Sequence, residues 1–192
     1  MIPIQLQPEP LDFKDMVSEP GQRYLSEHPD TRPSRLPPYW TRILKELWEA
    51  YGGICAYLSI YFEYATGAAS VDHFVPKSVD KSLAYEWSNY RLSCLGANRR
   101  KHTHKILDPV GLRPDSFRLN LCTGRIYPNP TMDVEYKKEC QDTINALGLD
   151  SPICRNMRKK RFDQYCSNEI SLAHIQEESP FIYAEIIRQG LS

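Results

Sequence analysis

Asp72, His73, Asn89 and Asn98 are the residues whose types and spacing could support chemistry on water and a metal ion. Asp72 offers hard carboxylate oxygens that suit Mg²⁺ or Mn²⁺, and Asn98 could add an amide oxygen from a helix. Histidine has an ordinary pKa of about 6.5, so the neutral imidazole of His73 can take a proton from water. Neighbouring side chains on a strand point to opposite faces, so Asp72 and His73 can share a site only where a strand ends, and Pro76 is placed to end one.

Asn98 begins a basic run whose charges could attract a phosphodiester. Arg99, Arg100 and Lys101 follow it and would bring positive charge next to a bound metal. His102 stands four residues after Asn98 and therefore on the same helix face. It could be a third metal ligand, a phosphate donor or a surface histidine.

A second basic run, residues 155–161, is a further candidate for contact with nucleic acid. Five of its residues are Lys or Arg, with Arg158, Lys159 and Lys160 at its centre. A solvated helix face is the alternative interpretation. The segment that follows, residues 162–192, has five acidic residues and one basic residue, so we expect it to dock to a partner or to the core rather than to phosphate.

The elements that must position these residues are predicted from apolar spacing and turn residues. A helix over 38–51 should end at Gly52, and residues 54–58 and 70–75 should form a loose hairpin. Residues 76–94 are predicted to be a loop, followed by a helix over about 95–105. Further along, the sequence predicts a hairpin over 117–127 and helices over 133–147, from Pro152 onward and from Pro180 to about 190.

The start of the chain is rich in proline. Eight of the 15 prolines precede residue 40, so residues 1–37 are predicted to be an extended, turn-rich arm. Scattered apolar residues in this arm indicate that it packs along the body or a partner, and disorder is the alternative.

The composition excludes several classes of protein. Lys plus Arg is 24 and Asp plus Glu is 24, so the zero net charge argues against a generally basic nucleic-acid coat or a membrane-hugging surface. Hydrophobic residues make up 41%, which is enough for a folded core, but apolar runs are too short for a membrane span. The first residues do not resemble a secretory leader, so we expect a cytoplasmic protein. Its six cysteines form no C-x-x-C pair, which predicts free thiols rather than disulfides.

The ordered set of Asp72-His73, Asn89 and Asn98 resembles the HNH nucleases, which have a ββα-metal fold. Further segments recur in the same order in PtuB-type HNH proteins of Septu and retron-linked anti-phage systems, and the likeness spans roughly residues 35–165. These segments are V-D-H-F-V-P-K-S at 71–78, Y-x-W-x-N at 85–89, D-P at 108–109, the hairpin at 117–128 and T-I-x-x-L-G-L at 143–149.

The resemblance implies an α+β fold in which a ββα-metal HNH core, residues 38–130, is embedded in a mostly helical domain. The arm at 1–37 would precede this core. A second β-hairpin would lie within it, and residues 131–192 would form a helical C-terminal segment of the same domain or a small lobe.

The resemblance also implies a role for each candidate residue. His73 resembles the general base that activates the attacking water, and Asp72 and Asn98 resemble the ligands of one divalent cation, Mg²⁺ or Mn²⁺. Asn89 resembles the asparagine that pins the loop and orients His73. Lys101 matches a lysine that often follows the last asparagine, and is expected to contact phosphate.

Two cysteine positions depart from the family pattern. HNH proteins often carry C-x-x-C at both places and hold a structural zinc there, whereas here Leu58 and Ala97 replace the second cysteine after Cys55 and Cys94. Two thiols cannot supply the four ligands of a structural zinc. We therefore expect no structural zinc, and packing instead should hold the helix.

The resemblance implies a toxic effector subunit that works with a PtuA-type ATPase, and a retron reverse transcriptase with its msDNA is a further candidate partner. DNA is the usual HNH substrate. RNA, including tRNA, is an alternative, because nothing in the sequence reads a base or a 2′-hydroxyl. A second alternative is a catalytically inactive HNH-fold assembly subunit of the ATPase complex. The loss of the zinc cysteines motivates this alternative.

Overall fold

Two antiparallel hairpins and seven α-helices build the chain, and a computed structural model describes all 192 residues. This combination of helices with small antiparallel sheets is an α+β fold, as the sequence predicts. The strands are β1 (Ala69–His73), β2 (Tyr90–Cys94), β3 (Phe117–Asn120) and β4 (Arg125–Pro128). The helices are α1 (Glu19–Glu27), α2 (Leu44–Ala50), α3 (Leu95–Lys101), α4 (Val134–Leu147), α5 (Pro152–Cys166), α6 (Leu172–Glu178) and α7 (Pro180–Arg188).

The first hairpin pairs β1 with β2, and α3 follows β2 without a connecting loop. The prediction that residues 54–58 pair with β1 is wrong, because Ile54 forms only an isolated bridge with Tyr61. The predicted loop at 76–94 is also wrong at its end, because 90–94 are β2. A strand pair separated by the long connection 74–89 has no local turn signal, which is why the sequence pattern favoured the nearer segment.

The N-terminal arm is partly helical, which corrects the prediction of an extended segment over 1–37. A π-helical turn at Lys14–Ser18 leads directly into α1. Pro20 is the second residue of α1 and directly follows the π-helical turn, so it lies inside a continuous helical segment. Phe13 and Val17 are buried, so the arm packs along the body, as predicted.

The other helices largely follow the sequence prediction. A 3₁₀ turn at Tyr39–Ile43 continues into α2, and α3 ends at Lys101 rather than near 105. Asp133 and Ser151 cap the N-termini of α4 and α5, and the second hairpin, β3–β4, lies where predicted. The short helix α6 was not predicted. None of the helices has both the length and the apolar character that a membrane crossing requires.

Two hydrophobic cores meet at the first hairpin. The arm core joins Phe13, Val17 and α2 to the Val71, Tyr90 and Leu92 side chains of β1 and β2. The C-terminal core joins Ala97 of α3 and the 55–58 segment to the second hairpin and to helices α4 to α7. The β1–β2–α3 unit is therefore supported from both sides, and the end of β1 is left at an open cleft.

Candidate active site

An open cleft of about 590 Å³ lies at the end of β1. Asp72, His73 and Asn98 line it, although adjacent strand residues normally face opposite ways. They reach one site because β1 ends at His73. The opposite wall comes from the arm and the turn before α2, and the remaining lining residues are Pro33, Ser34, Leu36, Pro38, Trp40, Val71, Pro76, Lys77, Ser78, His102 and Thr103.

His73 is buried at the base of the cleft and is held in one tautomer. Its Nε2–H donates to the backbone carbonyl of Ala84 at 2.9 Å, which leaves Nδ1 with a free lone pair. The rings of Trp40 and Tyr90 pack edge to face on the imidazole, at centroid distances of 4.7 and 5.2 Å. Burial, together with the ammonium of Lys77, lowers the pKa of His73 to about 3, so the ring is neutral at physiological pH.

Asp72 is only 3% exposed and has two protein partners. Its carboxylate accepts a hydrogen bond from the Tyr57 hydroxyl, and Lys101 Nζ lies 3.2 Å from Oδ1 and 3.0 Å from Oδ2. Burial raises the pKa of Asp72 above its ordinary value, while the charge of Lys101 and the Tyr57 hydrogen bond oppose that rise. The carboxylate is thus oriented by the protein before any ligand binds.

Asn89 holds the loop between β1 and β2 and does not line the cleft. Its Oδ1 accepts from the Val75 N–H at 2.8 Å, and its Nδ2 donates to the carbonyls of Val75 and Leu83, both at 3.1 Å. Ala84, which follows Leu83, carries the carbonyl that fixes His73. Asn89 therefore acts on the imidazole through the loop backbone.

Asn98 presents an amide oxygen to the cleft from α3. Its Nδ2 donates to Ser70 Oγ at 3.2 Å and to the Val71 carbonyl at 3.3 Å, while its Oδ1 accepts no hydrogen bond. His102 also lines the cleft, but not for the predicted reason of a shared helix face. Because α3 ends at Lys101, His102 lies outside the helix with a backbone φ of +45°.

These donors fit a divalent cation that keeps most of its water. A carboxylate has about four lone-pair sites, so Asp72 can accept from Tyr57 and Lys101 and still bind a cation. Mg²⁺ typically uses one or two protein ligands together with water and substrate phosphate. The chain brings together no group of three or more His, Cys, Asp or Glu side chains that could hold a metal. An ion in this cleft would therefore rely on Asp72, Asn98 and the substrate, with His102 as a further donor.

The two positions where HNH proteins often carry C-x-x-C lie against each other. Cys55 Sγ lies 3.9 Å from Cys94 Sγ, and Leu58 and Ala97 are buried in the same core as Cys55. Burial raises the pKa of Cys55, but hydrogen bonds from the Cys94 thiol and the backbone outweigh it and lower the pKa to about 6. Two sulfurs do not fit a four-ligand zinc site. That the protein carries no structural zinc remains a prediction for metal analysis.

Lys101 and Arg158 are buried, which corrects their predicted role as contacts to nucleic acid. Lys101 is 0% exposed and is paired with Asp72. Arg158 is 4% exposed and donates to the backbone carbonyls of Gly124 at 2.8 Å and Leu149 at 2.5 Å. Neither charge can reach a phosphate from these positions.

Helical spacing was the sequence signal for this burial. Lys101 follows the buried Ala97 by four residues, and Arg158 stands four residues after Cys154 and four before Phe162, both of which are buried. Residues four apart lie on the same helix face, so both cations belong to the buried face of their helix.

The rest of the second basic run is mostly paired within the protein. Lys159 is exposed and its Nζ lies 2.5 Å from Asp163, whereas Lys160 is exposed without a carboxylate partner. The two remaining arginines pair as Arg155 with Asp150 and Arg161 with Glu178. This run consequently offers little free positive charge, and its contact with nucleic acid remains a prediction that rests on Lys159 and Lys160.

Arg99 and Arg100 are exposed on α3 and have no carboxylate partner. They follow Asn98 in sequence but do not line the cleft, and their contact with phosphate remains a prediction. Arg91, from the same stretch of sequence, is different: it is buried and forms a two-pronged ion pair with Asp108 at 2.8 and 2.5 Å. Arg99 and Arg100 are therefore the free cations nearest to Asn98 on α3.

Three residues at the site were missed by sequence reasoning. Tyr57 bonds to Asp72, while Trp40 and Lys77 line the cleft beside His73. Trp40 lies in the segment predicted as a helix over 38–51 and is half-buried at the cleft. Its position in the first turn after Pro38 was the signal, since a helix start next to a loop is commonly accessible.

A protein of Vibrio cholerae serotype O1 biovar El Tor, named "Retron Vc95 putative HNH endonuclease", is 30% identical to this chain over 124 residues. The match covers 59% of this chain and 60% of that protein, so the chain spans less than two thirds of the relative's length. No protein-family model matches the chain.

Proposed function

We propose that this chain is a metal-dependent HNH endonuclease that hydrolyses phosphodiester bonds of nucleic acid. The observation that carries the proposal is the convergence of Asp72, His73 and Asn98 on one cleft, at the end of a hairpin that runs directly into α3. This β1–β2–α3 order is what a ββα-metal core requires. The 30% identity to a protein named for an HNH endonuclease supports the same class.

In the proposed reaction His73 is the general base. Its Nδ1 lone pair accepts a proton from the attacking water, while the Nε2–H bond to the Ala84 carbonyl keeps the ring from turning. A pKa of about 3 makes the unliganded imidazole a weak base. The negative charge of a bound phosphodiester favours the protonated ring and strengthens the base when the substrate is in place.

Asp72 and Asn98 would hold one Mg²⁺ or Mn²⁺ ion, with His102 as the candidate third ligand. Such an ion supplies positive charge to the scissile phosphate and the leaving oxygen. Tyr57 and Lys101 orient the Asp72 carboxylate, and Asn89 keeps the loop that positions His73. Arg99 and Arg100 would add phosphate contacts from α3.

We further propose that the chain is the toxic effector subunit of an anti-phage system of the PtuB, Septu or retron type. Its partners would then be a PtuA-type ATPase and, in a retron, the reverse transcriptase with its msDNA. The name of the Vibrio cholerae relative supports the retron context. DNA and RNA, including tRNA, are both candidate substrates, and a cytoplasmic site of action fits either.

Substitution of the proposed base tests the function. His73→Ala should lower nucleic-acid cleavage by roughly 100- to 10,000-fold, the usual contribution of general acid–base catalysis. Cleavage of DNA and RNA is measured with the chain alone and with its ATPase partner. EDTA should abolish the activity, and added Mg²⁺ or Mn²⁺ should restore it. His174→Ala, which changes a histidine on α6 outside the cleft, is the control; cleavage that survives His73→Ala would rule out this mechanism.

One observation favours the rival role of an inactive assembly subunit. The Asp72 carboxylate is already paired with the Lys101 ammonium and bonded to Tyr57, so a cation must compete with a buried positive charge. In that case Mg²⁺ would not change thermal stability, and His73→Ala would leave the biological activity of the complex intact. Metal dependence of both cleavage and stability would support the enzyme instead.

A further inference from the structure

The wall of the cleft that faces His73 contains a half-buried aromatic side chain. Trp40 lies in the turn before α2, is half-buried, and meets the His73 ring edge to face at 4.7 Å. Lys77 Nζ lies over the indole ring at 3.7 Å from its centroid. Because both side chains line the cleft, the ammonium covers a face of the ring that borders the cleft.

Trp40 differs from the other two tryptophans in its hydrogen bonding. The indole N–H of Trp48 donates to the Phe62 carbonyl, and that of Trp87 donates to the Gln7 carbonyl. The N–H of Trp40 has no protein partner. An indole that serves only to fill a core normally satisfies its N–H within the protein, so this ring is placed for contact with the cleft.

We propose that Trp40 and Lys77 form a subsite for one unpaired nucleotide of the substrate strand, next to the scissile phosphate. The base would stack on the Trp40 ring, and the displaced Lys77 ammonium would bind the neighbouring phosphate. The inference rests on the proposed nuclease function and extends it to the substrate class: nucleic acid that is single-stranded at the cut site.

Charge and stacking both favour this occupant. Among the residues that line the cleft, Asp72 is the one carboxylate, and it is already paired with Lys101. Lys77 has no carboxylate within ion-pair distance, so a phosphate would be its first anionic partner. Aromatic side chains bind bases through their flat faces regardless of sequence, and a cation beside them tracks the backbone.

The subsite requires an unpaired base because a duplex hides the faces of its bases. Inside a double helix each base is covered above and below by its neighbours, so it must leave the stack to reach a protein ring. Trp40 is close enough to His73 that the stacked nucleotide and the reacting phosphate would belong to the same or adjacent nucleotides.

Binding measurements on the His73→Ala protein test the subsite without cleavage. A fluorescent single-stranded oligonucleotide and its duplex are titrated in Mg²⁺, and folding of each variant is checked by thermal unfolding. Trp40→Leu should weaken single-strand binding by about 5- to 100-fold, the usual loss of one stacked base, and Trp40→Phe should retain most of it. Lys77→Gln should reduce the slope of log affinity against log salt by about 0.7, as for one lost phosphate contact on a single strand.

Matched variants away from the cleft serve as controls. Trp48→Phe and Lys45→Gln, both on α2, should bind like the parent; Lys45 already pairs with Glu49. Quenching of tryptophan fluorescence by the oligonucleotide should disappear in Trp40→Phe, a readout that needs no destabilising variant.

Unchanged single-strand binding by Trp40→Leu would overturn the subsite while leaving the nuclease proposal intact. Equal affinity for the duplex, with the same loss in Trp40→Leu, would overturn the requirement for an unpaired base. If the parent protein binds neither form and the wild type cleaves nothing, the proposed function fails and the subsite fails with it.

Discussion

Lys101 is the buried counter-ion of Asp72 and ties α3 to the end of β1. Its Nζ contacts both carboxylate oxygens and donates to the backbone carbonyl of His73 at 2.8 Å. A buried charge is costly unless it is paired and hydrogen-bonded, and here each partner satisfies the other. One lysine thereby fixes the position of two adjacent candidate catalytic residues.

Removal of this lysine should destabilise the protein. Lys101→Met leaves the Asp72 carboxylate buried without its cation, which typically costs about 3 to 5 kcal/mol. Urea unfolding without nucleic acid measures the loss, and the double variant Lys101→Met with Asp72→Asn should recover part of it. Lys160→Met, at an exposed lysine on α5, should stay within about 0.5 kcal/mol of wild type. A Lys101→Met protein that is fully stable but binds nucleic acid weakly would return Lys101 to the role of a phosphate contact.

At the scale of single residues, the sequence was informative about chemistry and poor about burial. The types and order of Asp72, His73 and Asn98 selected three side chains that share a cleft. Formal charge, in contrast, does not distinguish a surface lysine from a buried one. The burial of Lys101 could be predicted only by knowing which face of α3 is covered. That face is set by α4 and by the C-terminal core.

The second hairpin is docked by polar side chains of the C-terminal segment, residues 131–192. Glu185 of α7 accepts from the Leu119 N–H at 3.1 Å, and Asp150 accepts from the Ile126 N–H at 3.0 Å. Arg158 of α5 donates to the carbonyl of Gly124 in the turn. Gly124 has a φ of +68° and lies directly against the backbone of Arg155, so a side chain at this position has no room.

Two glycines with nearly the same backbone angle separate conformational strain from close packing. Gly67→Ala, at a φ of +67° with nothing nearby, should cost about 1 to 2 kcal/mol for the left-handed conformation. Gly124→Ala should cost about 2 to 5 kcal/mol, because overpacking against Arg155 adds to the same strain. Urea unfolding of both variants gives the comparison, and equal losses would show that the turn moves away from α5 freely.

Local signals explain which elements the sequence could predict. The Thr123–Gly124 turn joins β3 to β4 within a few residues, so alternation and turn type were sufficient for the second hairpin. β1 pairs across the connection 74–89, which no local pattern encodes. In the arm, the number of prolines masked α1, which contains Pro20 as its second residue.

For the whole molecule, the zero net charge reflects 24 basic and 24 acidic residues, many of which pair within the protein. Several cations of both basic runs are neutralised by the protein's own acids, including Lys101 by Asp72 and Arg161 by Glu178. The free positive charge at the cleft is small, because Lys77 is the one lysine or arginine that lines it. A protein with so local a positive surface would bind nucleic acid weakly on its own, which is consistent with delivery by a larger complex.

The arm links the whole fold to the cleft, and a single glycine tests that link. Gly21 of α1 packs directly on the Tyr85 ring, next to the Ala84 carbonyl that holds His73, and an added Cβ would overlap that ring. Gly21→Ala should therefore loosen the arm, at a cost of about 1 to 3 kcal/mol, and should increase hydrogen exchange at residues 14–27 and 81–87 together. Nucleic-acid cleavage should fall as His73 loses its fixed orientation.

Gly96→Ala, at an open position on α3, should leave exchange in the arm unchanged. If Gly21→Ala exchanges faster in the arm while residues 81–87 stay protected, the arm and the loop that holds His73 are independent, and the cleft wall at Trp40 would be held by α2 alone.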